Sequence, residues 1–112
     1  ERHRIPMLWT GGAVAEPRTI ENYASQMDLA ATLLAQMDIA HGDFPFSRDI
    51  FGSSAPRFGY YTFNNGFGVV DKDCATVYDC TSECVISPDS TATQLREGKA
   101  ILQTTYKILE QL

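Results

Sequence analysis

At 112 residues, with 44% apolar and 21% charged positions, the chain has the length and composition of one globular domain, which excludes a two-domain arrangement and intrinsic disorder. Nine Lys and Arg against fourteen Asp and Glu give a net charge of −5 with no basic run; that sign repels phosphate backbones and anionic lipid headgroups, so no nucleic acid partner is expected. No stretch approaches the roughly 18 apolar residues that cross a bilayer, and direct membrane insertion is not expected either.

The chain opens on Glu1-Arg2-His3-Arg4 rather than Met and runs at once into a structural element, as expected of a segment of a longer protein. Ile5-Pro6-Met7-Leu8-Trp9 is a short continuous apolar run closed by Gly11-Gly12, the pattern of a strand. Pro6 has no N–H and belongs at a strand start or sheet edge. The lack of alternation over residues 7–9 asks for cover on both faces. After the loop at Glu16-Pro17-Arg18, apolar residues recur at helical spacing (Ile20, Tyr23, Met27, Ala30, Leu34 and Met37, widened by Leu33), which predicts a first helix. Ser25-x-x-Asp28 has the form of a capping box that starts its regular part, and Asp38 to Gly42 end it. Residues 42–58 form a long connection in which Phe44, Phe46, Phe51 and Phe58 pin the chain to the core.

From Gly59 to Ser87 the residues become β-branched and aromatic with frequent turn signals. Asn64-Asn65-Gly66 predicts a tight hairpin, and Lys72-Asp73 and Thr81-Ser82 separate two further strands, giving a four-stranded antiparallel meander in consecutive order. Thr91-x-x-Gln94 is a second capping box before a helix to the end of the chain. Its facing positions are Leu95, Gly98, Leu102, Thr105, Leu109 and Leu112, and Gly98 there implies close approach to the sheet. The expected fold is therefore α+β: a small antiparallel sheet of about four strands packed with two helices, plus an N-terminal strand that belongs to a larger parent sheet. It divides into a strand–helix unit at 5–40 and a meander with terminal helix at 59–112.

A search for chemistry finds little. His3 lies at the terminus and His41 at a helix end, where an imidazolium is favoured by the helix dipole. Cys74, Cys80 and Cys84 allow one disulfide or remain buried thiols; their spacing is not that of a zinc knuckle, and no fourth ligand follows. Asp71, Asp73 and Asp79 sit at strand ends, where carboxylates serve turns. Gly11-Gly12 lacks the Lys-Ser/Thr of a phosphate loop. No catalytic, cofactor-binding or metal-ligating residue is assigned.

Three segments carry a resemblance: Ile5-Pro6-Met7-Leu8-Trp9-Thr10-Gly11-Gly12, Ser25-Gln26-Met27-Asp28-Leu29-Ala30-Ala31-Thr32-Leu33-Leu34 and Phe46-Ser47-Arg48-Asp49-Ile50-Phe51. In order and spacing they resemble the C-terminal part of sulfatase-type proteins, and more closely the lipoteichoic acid synthase and phosphoglycerol transferase branch of the alkaline phosphatase superfamily. Ala31 stands where that family has Pro. The resemblance covers about residues 3–80. It implies a parent enzyme that transfers a sulfuryl or phosphoryl group with a divalent metal and a Thr, Ser or formylglycine nucleophile, all placed upstream of this chain, at the periplasmic or extracellular face of the membrane. Ser53-Ser54-Ala55-Pro56-Arg57 is similar to the sulfatase nucleophile signature, but neither serine has both Pro at the second and Arg at the fourth following position.

The reading that results is a non-catalytic C-terminal scaffold, inactive alone, whose partner is the upstream catalytic domain of the same chain. Arg48-Asp49 is expected to be a locally paired or capping dipeptide that joins helix to sheet. A second copy pairing through the strand edge at residues 5–9 is a further expected partner. The alternative is a stand-alone binding module that uses Tyr60, Tyr61, Phe63 and Phe67, with Tyr61 and Phe63 on one strand face and Tyr60 on the other.

Overall fold

The computed structural model describes residues 3–12, 14–53, 55 and 57–112. Four strands, β1 (Gly59–Phe63), β2 (Gly66–Val70), β3 (Ala75–Asp79) and β4 (Cys84–Val85), form one antiparallel sheet in the order β1-β2-β3-β4. This is the expected meander. A 3₁₀ turn at Gln26–Asp28 leads into α1 (Leu29–Gln36), and α2 (Ala92–Leu109) follows the sheet. The architecture is thus α+β, with α2 packed against β2 and β3.

Register explains the core. Tyr60 pairs with Val69, Thr62 with Phe67, Phe67 with Tyr78 and Val69 with Thr76, which puts these side chains on one sheet face. Tyr60, Phe67 and Val69 are buried there, with Met27, Phe58, Tyr78, Leu95, Ile101 and Leu102 packed around them. Gly98 lets α2 settle onto this layer: a Cβ at Gly98 would lie 2.1 Å from Phe67 Cε2, so the helix contacts the ring through its backbone. At the first hairpin the left-handed residue is Asn65, with φ of 64°, and Gly66 already belongs to β2 opposite Phe63. Glycine is required at 66 by space, because a Cβ there would lie 2.4 Å from both Phe63 Cζ and Tyr78 O.

Both capping-box sequences mark helix starts, but each makes part of its bonds to distant residues instead of completing the local box. Asp28 Oδ2 accepts the Ser25 N–H at 2.8 Å, while the Ser25 hydroxyl accepts the Tyr60 N–H at 2.7 Å. Thr91 Oγ1 accepts the Gln94 N–H at 3.2 Å. The Gln94 side chain turns into the interior instead of back to Thr91: its Oε1 accepts the Thr76 hydroxyl at 2.7 Å, and its Nε2 donates to Asp71 Oδ2 at 3.0 Å. A buried amide with its partners satisfied ties the start of α2 to β3 and to the turn before it.

The N-terminal half departs from the helical reading. Regular helix begins only after Ser25, so Ile20 and Tyr23 lie outside it and are exposed. It ends at Gln36, and Asp38, with φ of 57°, takes the left-handed position at the start of the expected Asp38–Gly42 stop. Residues 5–9 pair with no strand among the described residues, and Ile5, Met7 and Leu8 are exposed.

Two substitutions test the core. Gly98→Ala forces a methyl group into the Phe67 ring and should cost about 1–3 kcal/mol, read as a lower urea midpoint with unchanged slope. Tyr60→Phe removes a buried hydroxyl that has no hydrogen-bond partner among the described residues and whose pKa burial, foremost, pushes up to about 12. That variant should be as stable as the parent or more stable by about 1 kcal/mol.

Candidate functional site

The most highly constrained polar centre joins α1, the loop at 46–51 and the start of β1. Asp28 is completely buried. Its Oδ1 accepts the backbone N–H of Arg48 at 3.0 Å and Arg48 Nε at 3.0 Å; its Oδ2 accepts Arg48 Nη2 at 3.1 Å and the Ser25 N–H at 2.8 Å. Those four donors occupy the lone-pair directions of the carboxylate. The guanidinium also donates to Phe58 O at 3.3 Å and lies over the Phe58 ring, 4.5 Å from its centroid. Residues 47–50 follow the helix start: Ser47 Oγ accepts the Ala31 N–H at 2.7 Å, and Thr32 Oγ1 accepts the Ile50 N–H at 3.0 Å. One first-turn N–H that a helix leaves unpaired is satisfied in this way by the loop.

Arg48-Asp49 is therefore not a locally paired dipeptide. Arg48 pairs with Asp28, twenty residues earlier, and Asp49 Oδ1 accepts the Phe51 N–H at 2.9 Å in a tight turn. The contacts of Arg48 do join helix to sheet. The carboxylate is saturated by four donors, and Arg48 Nε and Nη2 are engaged with it and with Phe58 O, so the centre ties the helix start to the loop and to the entry of β1.

The remaining candidates are dispersed. His3 stacks on Tyr61, with ring centroids 4.2 Å apart. His41 lines a shallow, solvent-open depression of about 400 Å³ with Ala35, Asp38 and Ile39. All three cysteines are free thiols, and Cys80 and Cys84 are exposed, which corrects the expectation of a disulfide or buried thiols. Asp71 Oδ1 accepts the N–H groups of Asp73 and Cys74, and these bonds hold its pKa below the ordinary carboxylate value. Asp79 is lowered in the same way by the N–H groups of Ser82 and Thr81. Both are turn carboxylates, as expected from sequence. The Ser53–Arg57 segment includes Ser54 and Pro56, which lie outside the described residues. Among the described residues no group of three or more His, Cys, Asp or Glu side chains is placed to hold a metal ion, and no helix is long and apolar enough to cross a membrane.

The most informative surface is the outer side of α1. Helical spacing alone suggests an inward apolar stripe, yet the buried residues at the helix start are Asp28, Ala31 and Thr32. Leu29 and Leu33, one turn apart, are 44% and 47% exposed, and Met37 at the C-cap is 53% exposed. The Asp28–Arg48 pair and the Thr32 bonds hold those side chains inward beside the buried Ala31, Leu29 and Leu33 lie on the exposed side, and Leu34 is half-buried. Ile39, Phe44, Ile20 and Tyr23 extend the exposed apolar residues on the flanking chain.

No protein-family model, no curated protein and no solved structure matches the chain.

Removing the guanidinium should be costly, since it leaves a buried carboxylate uncompensated. Arg48→Met is expected to destabilise by about 3 kcal/mol, and Asp28→Asn combined with it by less than the sum of the two single changes, in a double-mutant cycle followed by urea unfolding. The turn carboxylates give a pH signature. A pKa lowered in the folded state stabilises above the unfolded-state value and is lost as pH falls through the folded-state value. The stability advantage of the parent over Asp71→Asn should be full above about pH 5 and shrink steadily below about pH 4; an advantage that grows on acidification would contradict the assignment.

Proposed function

We propose that this chain is the non-catalytic C-terminal scaffold portion of a metal-dependent sulfatase or phosphoglycerol transferase of the alkaline phosphatase superfamily. The observation that supports the proposal is the orientation of α1, which turns the Asp28 carboxylate and the Thr32 hydroxyl inward and leaves Leu29 and Leu33 exposed. That arrangement fits a helix designed to be covered from outside by another part of a larger protein. In this reading the Ser25–Leu34 segment is the capped helix of the resemblance, Phe46–Phe51 the loop against it, and the meander with α2 the subsidiary sheet.

In this reading the upstream catalytic domain of the same parent chain covers Leu29, Leu33 and Met37, and residues 5–9 pair into the parent's main sheet. As the resemblance implies, the metal and the nucleophile for sulfuryl or phosphoryl transfer belong to that upstream domain. The family resemblance supports a location at the periplasmic or extracellular face of the membrane.

The proposal separates a docking face from a core face. Leu29→Ser with Leu33→Ser should leave the unfolding free energy of the chain within about 0.5 kcal/mol, the ordinary range for surface changes, while sedimentation shows less self-association than the parent. A loss of more than about 2 kcal/mol would place these leucines in the core and remove the support. Turnover of an aryl sulfate or a phosphodiester by the pure chain with zinc, manganese or magnesium would end the scaffold reading.

A further inference from the structure

The sheet face away from α2 carries a second feature, independent of the proposed scaffold role. Tyr61 and Phe63 alternate with the buried Tyr60 along β1 and so share the outer face. Each lies opposite a glycine, Tyr61 with Gly68 and Phe63 with Gly66. A Cβ at Gly68 would be 2.2 Å from Tyr61 Cζ, and one at Gly66 would be 2.4 Å from Phe63 Cζ. The two rings therefore lie across bare backbone, which holds both of them against the sheet. Their centroids are 6.5 Å apart with a tilt of 39°, so one six-membered ring can touch both.

In this structure the place is taken by the chain itself: the His3 imidazole stacks on Tyr61 at 4.2 Å and 17°, with its centroid 6.4 Å from Phe63. We propose that Tyr61 and Phe63 form a stacking subsite for a neutral pyranose ring, and that His3 is its internal competitor. The edge of the surface is polar. Asp79 sits across from Gly66 by register, and its Oδ1 accepts the Thr81 and Ser82 N–H groups, which fixes a carboxylate at that edge. The Asn64–Asn65 turn adjoins Phe63. A sugar presents C–H bonds to an aromatic face and hydroxyls to such an edge, the combination of apolar floor and few convergent polar groups that defines a ligand site. An aromatic peptide side chain would use the floor and leave the rim unpaired. The net charge of −5 and Asp79 oppose an anionic ligand.

The test is an amide-resolved NMR titration of the whole chain with three neutral tetrasaccharides, of β-linked glucose, α-linked glucose and β-linked N-acetylglucosamine, each to about 10 mM, the range of a single weak subsite. Shifts confined to Tyr61, Phe63, Gly66, Gly68 and His3 with at least one sugar support the subsite. His3→Ala should then tighten binding severalfold, because it removes the competing ring, and Tyr61→Ala should abolish binding. Tyr61→Ala also strips Gly68 of its cover and can unfold the sheet, so His3→Ala, a change at the terminus, is the deciding variant. No response of His3→Ala to any of the three sugars overturns the proposal. So does unchanged affinity in His3→Ala, or tighter binding of a neutral Phe-containing tetrapeptide than of every sugar.

Discussion

The Asp28–Arg48 pair is the contact on which the rest of this molecule is arranged. A carboxylate with no exposure survives in an interior only when its charge is met, and here two backbone N–H groups and a bidentate guanidinium meet it. Each donor comes from a different part of the chain or reaches toward one. Ser25 marks the start of α1, the Arg48 backbone fixes the loop, and the Arg48 side chain extends to Phe58 at the entry to β1. Sequence neighbours that are otherwise short of apolar contacts are thereby held against the sheet.

The same pair decides which way α1 faces. Apolar burial would turn Leu29 and Leu33 inward, for roughly 1.5–3 kcal/mol per side chain on full burial. The polar centre opposes this, because exposing Asp28 and Thr32 would forfeit the bonds to Arg48, Ile50 and Ser25 together. Within this chain the polar network prevails, and the leucines remain outside. That outcome gives physical content to the scaffold proposal: a polar inner face positions the helix, and an apolar outer face is left for a partner. The C-terminal half follows the ordinary rule, with Phe67, Val69 and Tyr60 buried between the sheet and α2.

The sheet divides two tasks between its faces. The inner face, with Thr76 and Gln94 tied to Asp71, seats α2 and sets its angle through Gly98. On the outer face the glycines at 66 and 68 are covered by Phe63 and Tyr61, so the absence of side chains on β2 creates a floor for rings rather than a gap. Aromatic residues on alternate positions of one strand thus have separate fates: Tyr60 stabilises the core, and Tyr61 presents a face.

Local chemistry made much of this legible from the residues alone. The meander, both capping boxes and the close approach at Gly98 were readable because turns, caps and glycine contacts act over a few neighbours or impose a period along the chain. The partner of Arg48, the interior role of Gln94 and the outward leucines were not. Each depends on a residue about twenty positions away, as Asp28 is from Arg48 and Thr76 from Gln94, and a hydrophobic period cannot reveal that a buried charge will outweigh it. Sequence by itself determined the four strands of the meander, the two helices and their order. Only tertiary structure decided which faces of those elements meet, because buried electrostatic pairing is settled by three-dimensional neighbours and overrides the local apolar pattern.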